Sequence, residues 1–364
     1  MEILEDARKE IDEVDAEMLR LFERRMQTVA AVAAYKQEHG LPVLDSSRED
    51  AVVAKNLARL QNAKLSGYYV DFMRHLMSVS RSFQTELLGQ NTVAYQGAEG
   101  GFGHHVSTVL YPHASMVGVA TFAAVFDTVQ NGQAAFGIVP FENSTTGDVS
   151  GVLDLLHTHD VFIAGMADLP VTQNLLVLPG TQLQDIKTVV SHVQALEQCG
   201  RFLKSLGVQQ QPALNTALAA KQVSEGRDSS VAAIASLEAG SLYGLVPLVQ
   251  DISTEMDNTT RFLLISRQPS HEGDRFSLLF TLDNTVGQLA RVIEVIAAEG
   301  FNMESIKSRP IPKNPWQYYF YAEIAGMPET NTIDSLLNGM QQVCHSVRML
   351  GVYRRQSLSA GGTI

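Results

Sequence analysis

The sequence predicts a multi-domain protein with three consecutive folds: an all-α segment, an α/β segment and a smaller α+β segment. Its 364 residues exceed what one hydrophobic core usually serves, which favours two or three domains. Residues 3–39 lack proline and glycine and repeat apolar residues at helical spacing. Short apolar runs that alternate with helical stretches follow this segment. A polar, turn-rich stretch at 267–274 then separates the second segment from the third. The predicted domains are 1–89, 90–267 and 275–354.

Composition excludes several classes of partner. The formal net charge of −12 argues against general binding to nucleic acid or anionic membranes, because both need basic surface. Cys199 and Cys344 are far apart and belong to no Cys/His cluster, which argues against structural zinc and disulfides. The N-terminal segment is acidic, unlike a signal peptide, and no apolar run nears the ~20 residues that span a membrane. We expect a cytoplasmic protein with no nucleic-acid or membrane partner.

Three helices are predicted in the first segment. The first covers about 3–39, and glycine and proline follow it. The second begins near Ser46, where Ser46 and Glu49 have the spacing of a capping box. The third covers about 67–88. Its predicted apolar face consists of Tyr69, Phe72, Leu76, Val79, Phe83 and Leu87. So long a first helix in so small a domain favours a coiled-coil-like dimer.

The first helix carries two cations inside its apolar stripe. The stripe consists of Ile11, Val14, Met18, Leu21, Phe22, Val29 and Val32. At about 100° per residue, Arg25 and Lys36 fall within it, whereas Arg20 and Arg24 point the opposite way. An unpaired buried charge costs several kcal/mol, so a plain helix seam gains nothing from these cations. An anionic ligand between the helices is therefore predicted.

The spacing of the basic residues predicts a site shared between chains. A rise of 1.5 Å per residue puts Arg25 and Lys36 about 16 Å apart, so both can grip one small ligand. Arg8 lies about 25 Å before Arg25 and cannot easily reach that ligand within its own chain. An antiparallel partner helix would deliver it. We therefore expect a homodimer or a higher even-numbered homo-oligomer.

Five further polar residues are candidates for the same pocket. Asp45, Arg48 and Glu49 open the second helix, and Ser80 and Gln84 lie on or beside the apolar face of the third. Each also has a structural explanation. Asp45 fits an N-cap, Glu49 fits a capping box, and Ser80 and Gln84 fit ordinary contacts between helices. The two cations in the stripe favour the pocket.

The second segment alternates short apolar runs with helical stretches, which predicts a largely parallel sheet. The runs are 92–95, 122–129, 136–139, 174–178, 189–190, 231–234 and 262–265. The glycine-rich stretch 96–104 follows a strand, but residue 106 is valine where a dinucleotide loop needs glycine. Polar clusters at 140–147, 191–194 and 258–262 adjoin strands. Ligands bind at strand ends in such folds, although turns and helix caps have the same composition.

The third segment has the order βαββαβ, which is typical of a ferredoxin-like fold. Its elements are predicted at 276–282 (strand), 286–299 (helix), 303–308 (strand), 317–324 (strand), 332–343 (helix) and 347–353 (strand). The tail from Ser357 is small and polar, which predicts disorder.

The first segment resembles the all-helical chorismate mutases. The matching residues are Arg8, Arg25, Lys36, Asp45, Arg48, Glu49, Ser80 and Gln84. The resemblance implies that Arg25 and the Arg8 contributed by a partner hold the carboxylates of chorismate, while Lys36 and Gln84 donate to its ether oxygen. Glu49 and Asp45 would orient the ring hydroxyl, and Arg48 and Ser80 would complete the anion cradle. The rearrangement to prephenate is intramolecular, so positioning and charge stabilisation suffice.

The second segment resembles the prephenate dehydratases. The three polar clusters correspond to that family's sequence blocks. The chain departs from the family pattern at two positions: Val193 replaces a usual proline, and Gln173, outside the clusters, replaces a usual histidine. The resemblance implies a two-lobed fold like that of periplasmic binding proteins, with the site in the cleft. It makes Thr260 the candidate donor to the leaving hydroxyl, Asn143 and Gln194 substrate contacts, and Arg261 a carboxylate partner. His192 is a better acid by chemistry, and the source of the proton stays open.

The third segment resembles an ACT domain, an amino-acid-binding regulatory module. The matching positions are Gly287, Gln288, Leu289, Ser308, Arg309 and Pro310. The chain departs from the usual pattern in Gln288-Leu289-Ala290 and in Lys307, which replaces a glutamate. The resemblance implies that L-phenylalanine binds here and inhibits the enzyme.

Together these resemblances imply a bifunctional enzyme of phenylalanine synthesis that needs no cofactor and no metal. Its substrates would be chorismate and prephenate. A non-catalytic amino-acid sensor, with a helical dimeriser and a binding cleft, is the alternative, and the cations in the helical seam argue against it. A mutase fused to a prephenate dehydrogenase is disfavoured by the missing dinucleotide loop.

Overall fold

The computed structural model forms two compact units, Met1–Asn91 and Thr92–Ile364. It describes residues 2–39, 41, 43–88, 92–254, 258–311, 316–326 and 330–359. None of the helices in these ranges is both long and apolar enough to cross a membrane.

The first unit is all helical, as predicted. It consists of α1 (Glu2–Glu38), α2 (Ser46–Leu57), a 3₁₀ turn (Ala63–Leu65) and α3 (Ser66–Leu87). The predicted capping box is wrong. Asp45 is the N-cap of α2, and its side chain accepts a hydrogen bond from the Arg48 backbone N–H at 3.0 Å. Aspartate is as good a cap as serine, so the helix begins one residue after it.

The core of the helical unit is small. Its buried apolar cluster is centred on Val53, Met73 and Met77. The buried residues of α3 are Met73, Met77, Ser80 and Gln84. The apolar face predicted for α3 is wrong in part, because Phe72 is 48 % and Leu87 50 % exposed. Periodicity finds apolar stripes on a helix but does not say which one the chain itself covers.

The first helix is covered only along its second half. Described side chains from position 4 to 24 of α1 are all exposed, and the next one, Arg25, is partly buried and contacts Ser80 of α3. Ile11 is 58 % exposed and Leu21 is 57 % exposed. Most of the apolar stripe on α1 therefore has no cover within the described part of its own chain.

The α/β segment has two lobes. The elements of the first lobe are β1 (Thr92–Gln96), α4 (Phe102–Leu110), β2 (Ser115–Val119), α5 (Phe122–Gln130), β3 (Phe136–Asn143), β4 (Gly147–Asp148), α6 (Val152–Thr158) and β5 (Phe162–Pro170). The second lobe contains β6 (Asn174–Val177), a 3₁₀ turn (Leu183–Asp185), β7 (Thr188–His192), α7 (Val193–Gln198), α8 (Gly200–Leu206), β8 (Gln209–Ala213), α9 (Thr216–Gly226), β9 (Val231–Ala235), α10 (Leu237–Leu242) and β10 (Val246–Val249). The chain then returns to the first lobe as β11 (Thr259–Ser266).

The apolar run at 122–129 forms helix α5. A continuous apolar run of this length fits a buried helix as well as a strand. Thr121 caps this helix through a hydrogen bond from the Ala124 backbone N–H to its hydroxyl oxygen.

The last segment has the predicted βαββαβ order. Its elements are β12 (Arg275–Thr281), α11 (Gln288–Ala298), β13 (Asn302–Pro310), β14 (Tyr318–Ala325), α12 (Thr330–Val343) and β15 (Ser346–Tyr353). The sheet order is β13-β14-β12-β15, so β13 is an edge strand. The expected disorder of the tail is wrong at its start, because β16 (Arg355–Ser357) pairs with β5. This pairing is made by backbone groups, so the pattern of apolar side chains in the sequence does not indicate it.

Both sheets of the α/β segment are mixed, not largely parallel. The larger has the order β16-β5-β11-β3-β1-β2, with β4 on β3, and β11 runs antiparallel to both of its neighbours. The smaller has the order β10-β6-β9-β7-β8, with β6 antiparallel to β9. The antiparallel strands lie where the chain crosses between lobes, because a strand that enters from the other lobe arrives from the opposite side. These crossings put Asn258 and Thr260 next to β3.

Candidate active sites

The helical unit brings the predicted Arg25 and Ser80 into contact. The guanidinium of Arg25 on α1 donates to the hydroxyl of Ser80 on α3, and Ser80 in turn donates to the Leu76 carbonyl at 2.8 Å. Partial burial lowers the pKa of Arg25, and the nearby charge of Glu49 acts in the opposite direction. Arg25 is thus a half-buried cation in a helix seam, as the sequence predicts.

Gln84 lies one turn after Ser80 on α3, and Lys36 lies in the last turn of α1. Gln84 is buried, its Nε2 donates to the Ser80 carbonyl at 3.3 Å, and its Oε1 has no hydrogen-bond partner among the described residues. The ammonium of Lys36 donates to the Val43 carbonyl at 2.5 Å. An ammonium has three hydrogens, so Lys36 keeps donors for a further group.

Glu49 is paired with a residue that sequence reasoning missed. The Arg81 guanidinium lies 2.5 Å from the Glu49 carboxylate, and the side chains are 28 % and 27 % exposed. The pair joins α2 to α3. Arg81 directly follows Ser80, but nothing in the sequence indicates that a carboxylate 32 positions away is its partner.

The remaining candidates of the helical unit lie at its surface. Asp45 acts as the N-cap described above, so its structural explanation holds in this chain. The side chains of Arg48 and Arg8 are exposed. The described residues of the chain therefore assemble Arg25, Ser80 and Gln84, while Arg8 stays apart from them.

A cavity of about 770 Å³ lies between the two lobes of the α/β segment. Three predicted residues line it, namely Asn143 at the end of β3, Gln194 at the start of α7 and Thr260 on β11. The glycine-rich stretch after β1 also lines it, through Gly97, Gly101 and Gly103 among others. The polar clusters of the sequence therefore meet in one cleft, as the resemblance implies.

The residues that line this cavity carry no lysine, arginine, aspartate or glutamate side chain within the described part of the chain. The N-terminal residues of three helices lie there instead: Phe102 of α4, Phe122 of α5 and Thr216 of α9. No side chain caps α4. Helix N-termini present backbone N–H groups and a partial positive charge, so they favour anions without any cationic side chain.

The amide of Asn143 has only one consistent orientation. Its Oδ1 accepts hydrogen bonds from the backbone N–H groups of Thr145 and Thr146, both at 3.0 Å. Backbone N–H groups only donate, so the other end must be the NH₂ group. That group donates to Asn258 Oδ1 at 2.6 Å and to Thr260 Oγ1 at 2.9 Å. Thr260 thus accepts from Asn143, and its own hydroxyl hydrogen is left for a group in the cavity.

Arg261 is not among the residues that line the cavity, contrary to its predicted role as a substrate carboxylate partner. Its guanidinium lies 3.1 Å from Asp168, 3.3 Å from Glu142 and 3.6 Å from Glu323. Burial would lower the pKa of Arg261, but these carboxylates raise it. Successive side chains of a strand point to opposite faces, so Thr260 in the cavity turns Arg261 away from it.

His192 and Gln173 also line the cavity. His192 caps α7, with Nδ1 accepting from the Gln194 backbone N–H at 3.3 Å, which places the hydrogen of the neutral ring on Nε2. Gln173 is 3 % exposed, and its Oε1 has no hydrogen-bond partner among the described residues. The sequence flags Gln173 only as a departure from the family pattern.

The predicted regulatory residues form two blocks. Gly287 precedes α11 with a φ of 81°, and Gln288 Nε2 donates to the Val343 carbonyl at 2.6 Å. Ser308 and Pro310 lie at the end of β13. Between them, Arg309 donates to Asp154 of α6 at 2.9 Å. Gly287 uses a left-handed conformation that favours glycine.

Lys307, the other departure in the last segment, contacts the dehydratase-like segment. Its ammonium lies 2.7 Å from Glu142 on β3 and also contacts Asp148 on β4. Glu142 is shared with Arg261. A chain of charges therefore links edge strand β13 with β3 and β11, the two strands that carry Asn143 and Thr260.

The chain thus combines two separate candidate sites, a polar helix seam and a cleft between α/β lobes, as a bifunctional enzyme would. Residues 7–85 match the family Chorismate mutase type II, and residues 93–270 match Prephenate dehydratase. The bifunctional chorismate mutase/prephenate dehydratase of Aquifex aeolicus is 31 % identical over 98 % of this chain and 99 % of its own.

Two solved structures each match 72 % of the chain. The prephenate dehydratase of Arthrobacter aurescens in complex with L-Phe has a TM-score of 0.65 and 27 % identity, and the match covers 72 % of this chain and 90 % of that one. GqqA, described as a quorum quenching acylase, has a TM-score of 0.66 and 28 % identity, with 72 % and 97 % covered. The chain belongs to the bifunctional chorismate mutase/prephenate dehydratase family, and it carries both activities.

Proposed function

We propose that the seam between α1 and α3 is the chorismate mutase pocket. Arg25 holds a carboxylate of chorismate, and Lys36 and Gln84 donate to the ether oxygen as its bond to carbon breaks. The observation that supports this assignment is the half-buried Arg25 in contact with Ser80, beside a buried Gln84. No proton has to move in this rearrangement, so held donors are sufficient.

The mutase pocket is completed by a second copy of the chain. The apolar stripe on the first half of α1 is exposed, which a stable soluble helix avoids unless another surface covers it. An antiparallel partner helix would cover the stripe and bring Arg8 to the pocket. Glu49 keeps its expected role towards the ring hydroxyl, now with Arg81 as the group that orients it. Arg48 and Asp45 stay as candidates at the rim.

The cleft between the lobes is the prephenate dehydratase site. Thr260 donates to the ring hydroxyl, which leaves with the bonding electron pair and takes up a proton to become water. The ring carboxylate leaves as carbon dioxide, and its bonding electrons complete the aromatic ring of phenylpyruvate. The observation that supports Thr260 as the donor is the hydrogen bond that its oxygen accepts from Asn143. Gln194 and the helix N-termini hold the anionic substrate.

The last segment is an ACT domain that binds L-phenylalanine and lowers the dehydratase rate. Support comes from the βαββαβ order, from the left-handed Gly287 and from the L-Phe complex of the Arthrobacter protein. The functional domains are 1–89, 90–267 and 275–354. Titration with millimolar phenylalanine should lower the dehydratase rate or change sedimentation, and no change in either would contradict this role.

A cytoplasmic location is part of the proposal. Cys199 and Cys344 are both free thiols. Burial raises the pKa of Cys199 to about 12, so this thiol stays protonated at neutral pH. Two unpaired cysteines are compatible with a reducing compartment.

Substitution of Arg25 by leucine tests the mutase assignment. The Arg25→Leu variant should lose at least about a hundredfold in the conversion of chorismate to prephenate, because an aligned charge is lost where the dianion binds. Its conversion of supplied prephenate to phenylpyruvate should stay unchanged. Arg24→Leu, on the opposite face of α1, is the matched control. Equal loss in both variants would contradict the assignment.

A further inference from the structure

One side-chain amide in the dehydratase cavity has an acceptor oxygen without a hydrogen-bond donor among the described residues. Gln173 lines the cavity and is 3 % exposed, and its Oε1 has no partner among the described residues. The residue itself is fixed, because its backbone carbonyl accepts from the Ile252 N–H at 2.9 Å. A buried acceptor without a donor is destabilising, so a ligand that supplies a donor would be favoured.

Two other amides of the cavity are already engaged. Both ends of Asn143 are satisfied by Thr145, Thr146, Asn258 and Thr260. Gln96 donates to the Ala120 carbonyl at 3.3 Å. Gln173 differs from both, since it lines the cavity and its buried acceptor oxygen has no partner among the described residues.

The substrate of the proposed reaction offers one donor. Both carboxylates of prephenate are ionised at neutral pH, and its keto group carries no hydrogen. The ring hydroxyl, which is the leaving group, is the only O–H. We infer that Gln173 accepts the hydrogen of this hydroxyl and so orients the leaving oxygen in the cavity. This inference rests on the proposed dehydratase site.

The arrangement assigns a direction to each hydrogen bond at the leaving oxygen. The hydroxyl donates to Gln173 Oε1, and its lone pairs then point elsewhere and can accept from Thr260. Gln173 exchanges neither a proton nor electrons. When the C–O bond breaks, the oxygen keeps the hydrogen that it shares with Gln173, takes up one proton supplied by solvent and leaves as water.

Two non-reacting analogues of prephenate with a saturated ring test the inference, one with the ring hydroxyl and one without. Their inhibition constants should be measured on the full-length wild-type enzyme, on Gln173→Met and on the matched control Gln96→Met. Methionine has a similar length but cannot take part in a comparable hydrogen bond. The hydroxyl should strengthen binding to the wild type and to Gln96→Met by about five- to hundredfold. On Gln173→Met this preference should fall by about two- to tenfold, because only the hydrogen bond from Thr260 remains.

The outcomes separate this inference from the proposed site. If the preference for the hydroxylated analogue is the same in all three proteins, the inference is wrong while the dehydratase site stands. If Gln173→Met weakens the binding of both analogues by the same factor, the amide donates to a carboxylate and the inference is again wrong. If neither analogue competes with prephenate on an active wild type, the proposed site itself is wrong.

Discussion

The donor role proposed for Thr260 rests on a neighbour on another strand. Cross-strand pairing sets Thr260 on β11 opposite Asn143 on β3, and two backbone N–H groups fix the Asn143 amide. The next pair along the same strands, Arg261 and Glu142, points to the other face. Neighbouring residues of a strand point to opposite faces, so the proposed reacting pair and the charged pair lie on opposite sides of the sheet.

Removal of the Thr260 hydroxyl should abolish most of the dehydratase activity. Thr260→Val keeps the shape but has no donor, so kcat for prephenate should fall by about 10²- to 10⁴-fold. Thr260→Ser keeps the donor and should retain most of the rate. Steady-state assays with prephenate measure both, and the mutase rate serves as the internal control. A valine variant as active as the serine variant would contradict the role.

Asp154 should make stability sensitive to acid. The hydrogen bond from Arg309 lowers the pKa of Asp154, against the opposing effect of burial, and Tyr319 adds a second hydrogen bond at 2.6 Å. Because the folded-state pKa is lowered, the carboxylate contributes stability above its unfolded pKa of about 3.9, and this is lost as pH falls further. Asp154→Asn should therefore show a weaker loss of stability below about pH 4. Urea melts across pH 3–7 would measure it, and unchanged pH dependence would contradict it.

Strand β13 is one of several strands through which the last segment contacts the first lobe, beside β14 and β15. Lys307 reaches Glu142 and Asp148, and Arg309 reaches Asp154. Ile306, on the same strand, is 39 % exposed. An effector that shifts β13 would thus act directly on the strand that carries Asn143.

Loss of the Lys307 charge should weaken regulation more than catalysis. In Lys307→Met, the phenylalanine concentration for half inhibition should rise about five- to hundredfold, which corresponds to a typical coupling free energy. The uninhibited dehydratase rate should change by less than about twofold. Inhibition curves at saturating prephenate measure both quantities. Lys221→Met, which removes a surface lysine paired only with Glu225, is the control and should leave the curve unchanged.

The helical unit by itself leaves an apolar surface that its small core does not explain. Val53, Met73 and Met77 form the buried cluster, whereas the stripe on the first half of α1 is open. In the proposed dimer, a partner chain covers this stripe and provides Arg8 to the pocket.

A lysine in the middle of the stripe should separate the chains at the mutase domain. Met18→Lys puts a charge where an apolar partner surface is expected, so mutase activity should fall and become steeply dependent on protein concentration. Glu13→Lys adds a lysine on the other side of α1 and should have little effect. Sedimentation and chorismate assays over a range of concentrations would compare them. Full mutase activity of Met18→Lys at nanomolar protein would contradict a shared pocket.

The sequence by itself determined the three helices, the βαββαβ order, the cations in the α1 stripe and the polar clusters that meet in the cleft. Each of these features depends on local spacing or on residue type, and both can be read directly from the sequence. Only the tertiary structure decided the Glu49–Arg81 pair, the mixed sheets, the turn of Arg261 away from the cavity and the unpaired oxygen of Gln173. These depend on which distant groups become neighbours, and a strand's pattern fixes its alternation but not which face meets the ligand.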